Sequence, residues 1–155
     1  MTIVFSKDDE CYTPKYIIDY FGNFDYDPAT TIEKAKEFEI SNFDTKETDG
    51  LRQDWTKYKR IWINPPFTLK WEFLNKAIET YQKAKNEIYI LLPIMALTTI
   101  KFSQATKNVG GILFLPNKRI NFESGLNRKF NSASFGSVIL KLNSEKDIVI
   151  KRIVI

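Results

Sequence analysis

At 155 residues, 43% of them apolar, the chain has material for one globular domain with its own core and none for a second. It has no run of about 18 apolar residues and no basic start leading into an apolar signal, which argues against a membrane span or secretion and for the cytoplasm. The single cysteine, Cys11, excludes an internal disulfide, and with no histidine a zinc site or a histidine relay cannot be built. The net charge of +4 is unevenly spread. Residues 1–54 hold 6 basic against 13 acidic side chains, and residues 101–130 hold 6 against 1. One basic edge facing a polyanion would explain this, with Lys101, Lys107, Lys118, Arg119, Arg128 and Lys129 as its residues. An ordinary solvated lysine surface explains it as well.

In chain order, Thr13 and Pro14 predict an N-cap and first-turn proline for a helix through Tyr20 that Gly22 ends. A short strand is expected at 24–26, a helix near 31–38 and a strand at 60–63. Trp71, Leu74, Ala77, Ile78, Tyr81 and Ala84 fall at helical spacing and predict one buried face. Ile88 to Leu92 and Gly111 to Leu115 read as buried strands, with a helix over 98–106 between them. Residues 137–142 and 148–155, joined by a polar turn, predict a closing antiparallel hairpin. The alternation is that of an α/β fold, in which ligands sit at the carboxyl ends of the strands.

The most informative stretch is Asn64-Pro65-Pro66-Phe67, directly after the apolar run Ile61-Trp62-Ile63. Neither proline offers an N–H and each fixes its own φ, so the turn is stiff. A residue before proline is pushed out of the helical region, which holds Asn64 extended with its side chain and nearby carbonyls free to face a ligand. Acceptors beside an aromatic face suit a planar base bearing an NH₂ group. Asn64 Oδ1 and the Pro65 carbonyl could grip the amine hydrogens, while Phe67 stacks on the base and returns about 1–3 kcal/mol of the cost of unstacking it. The same tetrapeptide also fits a proline-rich strand exit with Phe67 in the core. Asp27 and Asp49 are equally good turn residues.

The ordered set is more specific than its members. Thr13-Pro14, Asp27-Pro28-Ala29, Asp49-Gly50-Leu51 with Asp54-Trp55, Asn64-Pro65-Pro66-Phe67, Leu92-Pro93, and Leu115-Pro116 with Arg119 and Phe122 resemble the phage-type, Dam-like DNA N6-adenine methyltransferases over about residues 8–140. That resemblance implies an S-adenosylmethionine-dependent methyltransferase sandwich, Rossmann-like, with a mostly parallel sheet and the C-terminal hairpin. It implies one domain over 1–155, with no separate target-recognition domain. Asn64, Pro65, Pro66 and Phe67 would be the catalytic motif. Thr13, Pro14, Asp27, Pro28, Ala29 and Asp49 would bind S-adenosylmethionine. The implied partner is duplex DNA with a flipped adenine, and no metal is implied. Lys118, Arg119, Arg128 and Lys129 are expected to hold its phosphates, with target reading left to the segment 117–134. One departure bears on cofactor affinity: where amino-methyltransferases commonly carry a Gly-x-Gly turn, this chain has Thr30-Thr31. Another acceptor amine, in cytosine, RNA adenine or a protein glutamine, fits the tetrapeptide too. So does a non-catalytic decoy that binds nucleic acid or cofactor.

Overall fold

Burial alternates along the central strands: Ile61 and Ile63 pack to one side and Trp62 to the other, as do Ile88, Ile90 and Leu92 against Tyr89 and Leu91. A period of two with both faces apolar is the mark of a sheet covered on both sides. The structure is a computed structural model that describes residues 11–124, 129–132 and 135–155. Its elements are β1 (Cys11–Tyr12), α1 (Lys15–Phe21), β2 (Tyr26–Asp27), α2 (Ile32–Glu37), β3 (Asn42–Phe43), β4 (Arg60–Ile63), α3 (Lys70–Ala84), β5 (Glu87–Pro93), α4 (Ile100–Ala105), β6 (Gly110–Pro116), β7 (Asn121–Ser124), β8 (Lys129–Ser132), β9 (Ser137–Asn143) and β10 (Ile148–Ile153). Seven strands form one sheet in the order β10-β6-β9-β5-β4-β2-β3, and β1, β7 and β8 form a small antiparallel sheet. Every pair in the large sheet is parallel except the two that β9 makes. The mixed α/β architecture with a mostly parallel sheet is therefore as the sequence predicts.

Helix α3 packs its predicted face on the sheet, with Leu74, Ala77, Ile78 and Tyr81 buried in the same cluster as Ile61, Ile63 and Ile90. Phe73 joins them, while Ala84 is exposed. Helix α1 covers the other face through Ile17 and Ile18. It ends as expected at Gly22, whose N–H donates to the Ile18 carbonyl from a positive φ of 92°. Its start differs from expectation. Pro14 holds the cap position with no side-chain cap, and the Thr13 hydroxyl is buried with no partner among the described residues.

The C-terminal hairpin is not formed. Strands β9 and β10 run antiparallel, but β6 lies between them and bonds to both. The connection crosses the start of β6 at close range. A Cβ on Gly110 would lie 2.2 Å from the Glu145 carbonyl oxygen and 2.7 Å from that of Asp147. Only glycine admits that crossing. A polar five-residue turn between two apolar runs looks the same in sequence whether it closes a hairpin or steps over a neighbour. Among the described residues no helix is long and apolar enough to cross a membrane.

Candidate active site

Because β2, β4, β5 and β6 point the same way, the residues that follow Asp27, Ile63, Pro93 and Pro116 share one edge of the sheet. A cavity of about 520 Å³ opens there, within the roughly 300–1,000 Å³ usual for small-molecule sites. Of the expected cofactor residues, Thr13, Asp27, Pro28, Ala29 and Asp49 line it. Pro14 does not. It opens α1, and its carbonyl accepts from Ile17 N at 3.1 Å.

Asp27 sits at the floor of this cavity, 2% exposed. Its Oδ1 accepts from Ala29 N at 3.0 Å, the turn that aspartate favours, and among the described residues no cation is placed against it. Burial pushes its carboxyl up to about 7, with the Ala29 N–H pulling weakly the other way. A buried carboxylate without a counter-charge and the orphaned Thr13 hydroxyl both face a space that a polar, cationic ligand would fill. S-adenosylmethionine, with a sulfonium and an ammonium, has that chemistry, and these residues fit it.

The turn after Asp27 needs no glycine. Thr31 caps α2 in extended geometry, with φ −118° and its hydroxyl accepting from Lys34 N at 3.2 Å, and no residue from 28 to 31 has a positive φ. The close approach is instead at Gly50, where a Cβ would lie 1.9 Å from the Pro28 carbonyl oxygen. Gly50 thereby lets the neighbouring Asp49, at φ 53°, reach the cavity wall, and Asp49 Oδ1 caps Leu51 N at 3.2 Å. Trp55 locks the segment by donating Nε1 to the Gly50 carbonyl at 2.8 Å. Gly50→Ala should therefore cost about 1–3 kcal/mol of stability by overpacking and weaken cofactor binding with it. An unchanged urea midpoint would show that the Pro28 turn can yield.

Strand β4 delivers Asn64 to the partition between this cavity and a second one. Asn64 and Cys11 line both; Pro66 faces the large cavity, and Pro65 and Phe67 the small one. Asn64 is not wholly free, as the sequence predicts it to be. Its Nδ2 donates to the Cys11 carbonyl at 2.8 Å, which fixes the amide and, among the described residues, leaves Oδ1 as its open acceptor. The Pro66 carbonyl is taken by Leu69 N at 2.9 Å, so the Pro65 carbonyl is the one not committed to that turn. The second cavity measures about 20 Å³, room for a water and not for a base. Phe135 lines it, its ring centroid 5.5 Å from that of Phe67, with Lys70 Nζ 4.0 Å from the Phe67 centroid. Phe122 lines it as well.

Sequence reasoning missed Cys11, Lys34, Gly50 and Phe135. Cys11 acts through its carbonyl, which no residue-type pattern marks, and Lys34 meets a partner 89 positions away. Lys118 and Arg119 are exposed on the connection that leaves β6 at the same edge. Lys129 is in β8, and Arg128 lies outside the described residues. Among the described residues no group of three or more metal-ligating side chains is gathered.

Known proteins resemble this chain in sequence and in fold. A solved structure from Listeria monocytogenes, assigned to the class I S-adenosylmethionine-dependent methyltransferases, aligns with a TM-score of 0.41 and 16% identity over 77% of this chain and 44% of its own. A DNA N-6-adenine-methyltransferase of Escherichia phage T1 is 35% identical over 107 residues, which is 66% of this chain and 43% of the phage protein. The chain thus spans less than half the length of that curated relative. The profile of the DNA N-6-adenine-methyltransferase (Dam) family matches residues 4–152, nearly the whole sequence from the first strand to the last. By that match the chain belongs to the DNA N-6-adenine-methyltransferase (Dam) family.

Proposed function

We propose that this chain transfers a methyl group from S-adenosylmethionine to the N6 amine of adenine in DNA. The observation that carries the reading is the position of Asn64, on the partition between a ligand-sized cavity and an aromatic one, with its oxygen open. When bound, S-adenosylmethionine supplies an electrophilic methyl group on a cationic sulfur. Asp27 and Thr13 hold the cofactor from the cavity floor, Asp27 by charge and Thr13 by its unpaired hydroxyl.

Asn64 Oδ1 and the Pro65 carbonyl accept the two amine hydrogens and draw the nitrogen lone pair out of conjugation with the ring. Phe67 supplies the stacking face, and Phe135 withdraws from it to admit the flipped base. After attack the product nitrogen is cationic and acidic. Its proton passes to Asn64, a backbone carbonyl or water, so no tuned general base is needed. Catalysis then rests on proximity, orientation and polarisation of the amine. Offering labelled cofactor with DNA, RNA or protein tests the reading. Label should appear in DNA alone, and label confined to RNA or protein would overturn it. A chain that bound the cofactor and labelled nothing would be the decoy.

The basic edge is assigned to the DNA backbone, and target reading to segment 117–134 of the same domain. Each phosphate contact contributes roughly −0.9 to the slope of log K against log salt on duplex DNA. Replacing Lys118 and Lys129 together by Gln should therefore flatten that slope by about one to two units and weaken binding alike on all sequences. A slope equal to that of the unchanged chain would return these lysines to solvated surface. Action on DNA of this kind takes place in the cytoplasm of a bacterial or infected cell.

A further inference from the structure

Asn64 can offer its oxygen to an amine only while its amide is kept from flipping, and the bond from Nδ2 to the Cys11 carbonyl does this. Cys11 belongs to β1, a strand of two residues. That strand takes its register from β7, with Cys11 opposite Ser124 and Tyr12 opposite Glu123. Strand β7 is tied in turn to the wall of the large cavity. The Glu123 carboxylate, 9% exposed, accepts from Lys34 Nζ. Lys34, 8% exposed in α2, also donates to Glu37 at 2.9 Å and lines the cavity. A continuous path thus runs from the cavity wall through Lys34, Glu123, the β7–β1 ladder and the Cys11 carbonyl to the Asn64 amide.

Stability is a poor reason for this ion pair. Desolvating two charges offsets most of their attraction, and Lys34 already has Glu37 as a counter-charge. What the pair supplies is position: it clamps the small sheet to the cavity wall across 89 residues of sequence. We propose that Lys34 and Glu123 are positioning residues whose ion pair sets β7 and, through β1, the carbonyl that orients Asn64. The functional part of this proposal rests on the methyl-transfer reading; the structural part does not.

Glu123→Gln, Lys34→Met and the double variant test it, each measured in two ways. At saturating cofactor, kcat on DNA should fall about ten- to a hundredfold in all three while KM for DNA moves less than about threefold. Lys34→Met leaves the buried Glu123 carboxylate without its lysine, whereas in Glu123→Gln the lysine keeps Glu37, so the thermal stability of the double variant should recover relative to Lys34→Met. Its kcat should stay low, because the clamp is still missing. The second measurement is the Asn64 side-chain amide signal in ¹⁵N-edited spectra, identified from its loss in Asn64→Asp. It should shift and exchange faster with solvent in all three variants. An Asn64 signal unchanged in the double variant, or a kcat that recovers together with stability, overturns the proposal. A parent chain that methylates nothing would contradict the functional reading instead, and the amide signal would still decide the structural one.

Discussion

Asn64→Ala should lower methyl transfer to DNA by at least about a hundredfold, the scale seen when one preorganised hydrogen-bonding group is removed from a reacting centre. The loss should fall on kcat, because Oδ1 acts on the amine as it attacks and contributes little to holding the duplex. Cofactor binding should stay close to that of the unchanged chain, since Asp27 and Thr13 lie on other strand ends. The fold should lose only the Nδ2 bond to Cys11, about 1 kcal/mol. Single-turnover rates with calorimetry on the same preparation separate these effects. A variant that bound cofactor normally and methylated at the parent rate would remove Asn64 from the chemistry.

Asp27→Asn should weaken S-adenosylmethionine about ten- to a hundredfold, the equivalent of roughly 1.5–3 kcal/mol for a hydrogen bond to a charged group. The pH dependence follows from burial, which raises this carboxyl from 3.8 to about 7. A raised folded-state value favours the neutral form on folding. The stability it contributes is full below the unfolded value and is lost as pH rises through about 7. Cofactor affinity runs the opposite way, because the cationic ligand needs the carboxylate, and should climb between about pH 6 and pH 8. In Asp27→Asn both dependences should flatten, and at the alkaline end the variant should melt above the parent while binding worse. Calorimetric titrations at three pH values would expose a mistaken assignment as an affinity in the parent that does not change with pH.

The parts of the molecule legible in the sequence are those where local pattern and final environment agree. Ile61 to Asn64 reads as a buried strand ending in a stiff turn because both faces of β4 are covered and the prolines act within the turn itself. The α3 face and the Asp27 turn are legible for similar reasons. The pairing of β1 with β7 is not, since the two residues of β1 carry no periodicity and β7 is more than 100 positions away. The supposed hairpin failed because pairing depends on β6 entering between β9 and β10, a fact held in the steric emptiness of Gly110 and not in the turn. At the site, the side chains that line the large cavity are mostly ones the sequence marks by type, but the groups that position them are not. Cys11 works through its backbone and Gly50 through an absent Cβ.

The measurement closest to the central claim is nucleoside mass spectrometry of duplex DNA digested after incubation with this chain and methyl-labelled S-adenosylmethionine. The account predicts label on N6-methyldeoxyadenosine in the parent reaction and its loss with Asn64→Ala. Label on cytosine, or N6-methyldeoxyadenosine formed equally by the Asn64→Ala chain, would contradict it.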